Sequence, residues 1–158
     1  MANTQSMCTS FMSELMTATH NFGTAPVRAA STADTFKAAL YLASATVNAS
    51  TTAYSSTGEV TGTGYTAGGV SVTNATAPTS SNTSSTAGTA YWTPSASITY
   101  TSVTLTTAFD AVLIYNSTQS NKAVSVHTFG SQTVTAGTFT LTMPSNTTST
   151  ALLRLATT

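Results

Sequence analysis

The sequence predicts a mainly β protein: an antiparallel β-sandwich or jelly roll with a short N-terminal helix or arm. Three observations lead there. Threonine, a β-branched residue that suits strands, is the commonest residue of the chain. From Asp34 onward, short runs of Val, Ile, Leu, Tyr, Phe and Thr alternate with Gly, Asn, Ser and Pro, the punctuation of strands and turns. After the first residues no segment has helical spacing, so the crossover helices of a parallel sheet are missing and antiparallel pairing is what remains.

The elements follow in order. In MCTSFMSELMTATHNF, residues 7 to 22, Met7, Phe11, Leu15 and Phe22 fall near helical spacing, and Thr9 or Ser10 is placed to cap the start. Gly23 and Pro26 end this helix, and the stretch through Thr32 reads as a connector. The expected division is therefore 1–33 for the helix or arm with its connector, and 34–158 for the sandwich. Strands are expected at Thr35 to Ala43, Ala53 to Thr61, Gly69 to Ala75, Thr89 to Thr93, Ser97 to Thr107, Ala111 to Asn116, Lys122 to Phe129, Gln132 to Thr135, Gly137 to Met143 and Thr150 to Ala156. Ala111 to Tyr115 is continuously apolar and reads as a central strand covered on both faces. The polar NSTQSN then turns the chain into KAVSVHTF, where Val124 and Val126 alternate with polar residues. The predicted core is Val112, Ile114, Val124, Val126, Phe139 and Leu141. Thr76 to Gly88 is of low complexity and reads as an exposed, mobile loop.

Charge narrows the function. The chain of 158 residues has four basic and four acidic side chains, 5% of the total, where an ordinary domain has about 25%. Arg28, Lys37, Lys122 and Arg154 are scattered, so a nucleic-acid surface is not expected. No apolar run is long enough to span a bilayer, and no secretory signal opens the chain; no membrane partner and synthesis in the cytoplasm are the expectations. One cysteine, Cys8, excludes an internal disulfide. Near-zero net charge favours self-association, which suits a component of an assembly.

Candidate sites are few. The glycine-rich Glu59 to Gly69 lacks the Lys-Ser/Thr pair and following helix of a phosphate loop, and reads as a dense turn with Tyr65 over the core. His20 and His127 are the only histidines; a catalytic triad would need one of them oriented by Asp34 or Asp110. His127, opposite in facing to Val126, reads as a solvent-facing or interface residue. No catalytic residue, metal site or cofactor is expected. Tyr91 and Trp92 read first as core or edge packing, and second as an aromatic platform for a sugar or a partner. Asn48, Asn74, Asn82, Asn116 and Asn146 open Asn-x-Ser/Thr triplets, which this composition produces by itself. Four of the five methionines lie in the N-terminal segment, where Met7, Phe11, Leu15 and Met16 present apolar surface for assembly contacts. The alternative is that this helix caps its own sandwich.

The order TADTFKAALY, EVTGTGYTAGGVSVTNA, AFDAVLIYN, NKAVSVHTFGSQTVTAGTFTLTMP and ALLRLA resembles small virion structural proteins of tailed bacteriophages, over roughly Asp34 to Ala156. The resemblance implies a non-enzymatic part of the particle, first a capsid decoration or cement protein and otherwise a neck, tail or fibre component. Its expected partners are copies of itself and major virion proteins such as the capsid protein. A secreted adhesion or carbohydrate-binding sandwich is the more distant alternative.

Overall fold

A computed structural model describes residues 3–16, 19–20, 22, 33–74, 77–82 and 87–156. It is mainly β, in two antiparallel sheets. The larger sheet has the order β1-β7-β6-β2-β3, with β1 at Ser6–Met7, β2 at Phe36–Leu42, β3 at Val70–Ser71, β6 at Ile98–Asn116 and β7 at Lys122–Leu141; β4 (Thr79–Asn82), β5 (Gly88–Trp92) and β8 (Leu153–Ala156) form the smaller one in the order β4-β5-β8. Among the described residues a single short helix, α1 (Thr9–Met16), follows β1.

The long β6–β7 hairpin is the frame. Its turn is set by Asn116, whose Oδ1 accepts the N–H groups of Thr118 and Gln119 at 3.1 Å each, and by Ser120 and Asn121 in the left-handed region. Beyond the turn, Ala111 to Asn116 is buried on both faces between β2 and β7. Alternation sends Phe36, Ala38 and Leu40 toward the smaller sheet, where Phe36 meets Trp92, and Lys37, Ala39 and Tyr41 the other way, where Tyr41 meets the loop at Ser55.

That loop covers the second face through a buried polar cluster. Glu59, 6% exposed, accepts from the hydroxyls of Tyr54 at 2.6 Å and Tyr65 at 2.7 Å, and from the Gly68 N–H at 2.7 Å. Tyr65 in turn accepts the Leu40 N–H at 3.0 Å. Three charge-assisted bonds compensate the carboxylate for lost water. Gly69 lies so close to β2 that a Cβ there would stand 1.7 Å from the Ala38 carbonyl oxygen. The glycine-rich stretch is thus a turn that lets a loop approach a strand.

Several expectations need correction. The four strands expected between Ser97 and Asn116 and between Gln132 and Met143, with the one at Lys122 to Phe129, merge into two long strands. The polar breaks between them are register shifts in the β6–β7 ladder, and Ala136, at φ 46°, is one such bulge. Ala53 to Thr61 forms only isolated bridges at Ala53 and Glu59, because its backbone is used in turns such as Glu59 N–H to the Ser56 carbonyl. The strand expected from Gly69 shortens to β3, and Ala75 lies outside the described residues. Thr76 to Gly88 holds a paired strand: β4 is exposed but registers with β5 from Thr79 opposite Tyr91 to Asn82 opposite Gly88, while Thr76 and residues 83–86 lie outside the described residues. The last strand starts at Leu153. Phe22 lies beyond α1, and Gly23, Pro26 and the connector lie outside the described residues. Val112, Ile114, Val124 and Val126 are fully buried, whereas Phe139 and Leu141 are half-buried, since β2 ends before it can flank the outer part of the hairpin.

Candidate interaction cleft

The N-terminal segment is pinned to the sheets at several points. The Asn3 side chain accepts the Val47 N–H and donates to the Leu42 carbonyl, both at 3.1 Å, and also donates to Asp110. Ser6 and Met7 register with Val126 and Ser125, and Cys8 N–H reaches the Val124 carbonyl at 3.1 Å. Cys8 and Phe11 are inside the core, and Phe22 packs against Phe36 and Trp92 with ring centroids 4.5 and 4.8 Å away. A polar chain completes the attachment. Lys122 Nζ donates to Glu14 Oε1 at 2.6 Å, Glu14 Oε2 meets His20 Nε2 at 2.7 Å, and Asn116 Nδ2 bridges His20 Nδ1 at 3.1 Å to Asp34 Oδ2 at 2.7 Å. Burial pushes the Glu14 carboxyl up, but the bonds and charges of Lys122 and His20 outweigh it and hold its pKa below the usual value.

Between this segment, β7 and the smaller sheet lies a cleft with two parts. An apolar groove of about 80 Å³ is lined by Met7, Phe11, Leu15, Tyr91 and Trp92, among others, with Leu155 at its rim. Leu155, at 43%, is the exposed large apolar residue among those described. A polar cavity of about 460 Å³ adjoins it, lined by Gln5, Thr89, Ser125, His127 and Thr148. Met7, Leu153 and Arg154 line both. No family model, curated protein or solved structure matches the chain.

The cleft brings together residues that the sequence kept apart. Three of the four expected assembly residues, Met7, Phe11 and Leu15, meet Tyr91 and Trp92 in one groove; the side chain of Met16 lies outside the described residues. Phe11 is 2% exposed and Trp92 2% exposed, so both are walls sunk into the core, and Met7, Leu15 and Tyr91 carry the accessible surface. Trp92 donates its Nε1–H to Asn74 Oδ1 at 3.0 Å. It is a core residue and not a flat stacking platform, in line with the packing reading of that aromatic pair.

His127 is half-buried in the cavity wall and not turned to open solvent. Its Nε2 stands 2.9 Å from Ser125 Oγ, and burial pushes its pKa down to about 4, so the ring is neutral at pH 7. Contact of Ser and His is the geometry of an activated nucleophile, but Ser125 is 1% exposed. Neither aspartate considered for orienting a histidine is bonded to His127: Asp110 is engaged by Asn3 and Asp34 by Asn116 and Gln119. The one sequence signal for this pair was the i, i+2 spacing of Ser125 and His127, which puts them on one strand face.

Proposed function

We propose that the chain is a non-enzymatic structural component of a tailed-phage virion, a capsid decoration or cement protein. The observation that carries the reading is the pairing of a nearly uncharged, threonine-covered antiparallel fold with a largely uncharged apolar groove. A surface of that kind holds neighbours by shape, apolar contact and strand edges and depends little on salt. The segment pattern from Asp34 to Ala156 points to the same class of protein. Met7, Leu15 and Leu155 are the residues through which the groove meets a capsid subunit, and Phe11 supports them from beneath.

The test is to purify particles from cells producing the tagged chain and to image them. Label distributed over the shell supports decoration. Label on the particle axis moves the protein to the neck, tail or fibre, and an unlabelled particle overturns the reading.

A further inference from the structure

Arg154 borders both parts of the cleft, the apolar groove on one side and the polar cavity on the other. Among the described residues the ion pairs are those of Glu14 with His20 and Lys122, and Arg154 takes part in neither. An arginine without an acid partner on open surface would mean little, but this one stands where two pockets meet. Its Nη1 donates to the Ser149 carbonyl at 2.7 Å. That bond ties the guanidinium down at one nitrogen and leaves the rest of its five N–H donors for another acceptor.

The cavity beside it supplies more donors and no carboxylate. Gln5, Thr89 and Thr148 bring an amide and two hydroxyls to its wall. His127 brings a ring N–H, for a reason that lies in Ser125. The serine is 1% exposed, so its O–H needs a partner inside the fold, and that partner is His127 Nε2 at 2.9 Å. Ser125 therefore donates, and the single proton of the neutral ring sits on Nδ1, which has no partner within the chain. On the other side of Arg154, Met7, Leu15 and Leu155 give the groove its apolar surface. A donor-rich cavity, a lone cation and an apolar groove thus adjoin in that order. They match the three groups at the end of a polypeptide: the last peptide unit, the terminal carboxylate and an apolar last side chain.

We propose that the cleft holds the C-terminus of another protein chain ending in an apolar residue, with Arg154 pairing its carboxylate, the groove of Met7, Leu15 and Leu155 taking the last side chain, and Gln5, Thr89 and His127 bonding the last peptide groups. The proposal rests on the assembly reading above for its setting, and names the part of a virion protein that the cleft would grip. The charge complement is what selects this occupant. Every donor in the cavity wall suits an oxygen acceptor, and an internal apolar segment would leave the guanidinium without a counter-charge.

A titration of the full chain with an N-acetylated tripeptide ending in a free leucine tests it, followed by NMR on the indole N–H of Trp92, which lines the groove. Binding is expected with a Kd of about 1 mM or tighter. The same peptide closed as a carboxamide is expected to bind about tenfold more weakly, the loss of a hydrogen bond to a charged group. Arg154 is exposed, so R154Q leaves the core untouched, and the rest of its spectrum shows whether it is folded. In that variant the acid and the carboxamide are expected to bind equally weakly. Absence of any shift with the acid peptide at about 5 mM overturns the proposal. So does a folded R154Q that still prefers the acid as wild type does. N-acetylleucine that binds as tightly as the tripeptide would make the ligand a small free acid and overturn the protein partner. Particle labelling separates this from the reading beneath it. A chain that joins particles but binds no peptide removes the C-terminus site alone, whereas one that binds peptide and is absent from particles removes the assembly reading alone.

Discussion

Tyr65 donates its hydroxyl to Glu59 Oε1 at 2.7 Å while accepting the Leu40 N–H at 3.0 Å, and so ties the glycine-rich loop to the middle of the large sheet. Burial first, and then the bond and charge of Glu59, push the Tyr65 hydroxyl well above the ordinary tyrosine range. At neutral pH the phenol is therefore a donor. Tyr65→Phe leaves the Leu40 N–H and one carboxylate oxygen short of a partner, and is expected to cost about 1 to 3 kcal/mol in urea unfolding. Glu59→Ala orphans three donors at once and is expected to cost more. Equal stability of either variant with wild type would remove the cluster from the list of things that hold the loop.

The N-terminal segment is expected to behave as part of the core. Phe11→Ala empties a site walled by His20 and Phe22, whose ring centroids lie 4.8 and 5.8 Å away, and is expected to cost about 3 to 5 kcal/mol. Met7→Ser and Leu15→Ser, at half-buried positions, are expected to cost less and, under the proposed assembly role, to weaken attachment to the particle. Thermal unfolding read beside particle incorporation distinguishes the two effects. Removing residues 1–22 is expected to unfold the domain, and a folded truncation would contradict this.

Two groups give pH dependence in adjoining windows. His127 has a folded pKa depressed from 6.5 to about 4. Between those values the unfolded chain binds the extra proton, so stability rises with pH there and falls by up to about 3 kcal/mol on acidification through that window. Glu14 also has a depressed folded pKa, from an ordinary 4.5. Its contribution is complete above 4.5 and is lost as pH falls through the lower folded value. His127→Asn is expected to flatten stability between pH 6.5 and 4 while leaving the Glu14 limb below it, as measured by urea midpoints across pH.

Two built-in probes report on the core. Cys8 is fully buried, and burial together with the Glu14 charge pushes its thiol up to about 11. It is expected to resist a thiol reagent at pH 8 until urea unfolds the protein, since the thiolate is the reactive form. Trp92, the one tryptophan, is expected to emit at short wavelength and to resist acrylamide quenching. Rapid labelling of Cys8 in the native state would show the N-terminal segment opening away from β7.

By itself the sequence determined the class of fold and the strands whose environment is written in their own residues. Ala111 to Tyr115 had to be central because an unbroken apolar run needs cover on both faces, and Val124 and Val126 had to face inward because strand side chains alternate. The glycines of the loop after Glu59 announced close turns for a similarly local reason. Tertiary structure alone decided what depends on partners distant in the chain. Whether Asp110 or Gly130 ends a strand or sits within an irregular ladder depends on the opposite strand. So does the fate of Thr79 to Asn82, a paired strand made of residues that look like loop. The cleft was beyond reach for the same reason: Met7, Ser125 and Leu153 are brought to one place by pairings that span the whole chain, and no local pattern encodes their distance.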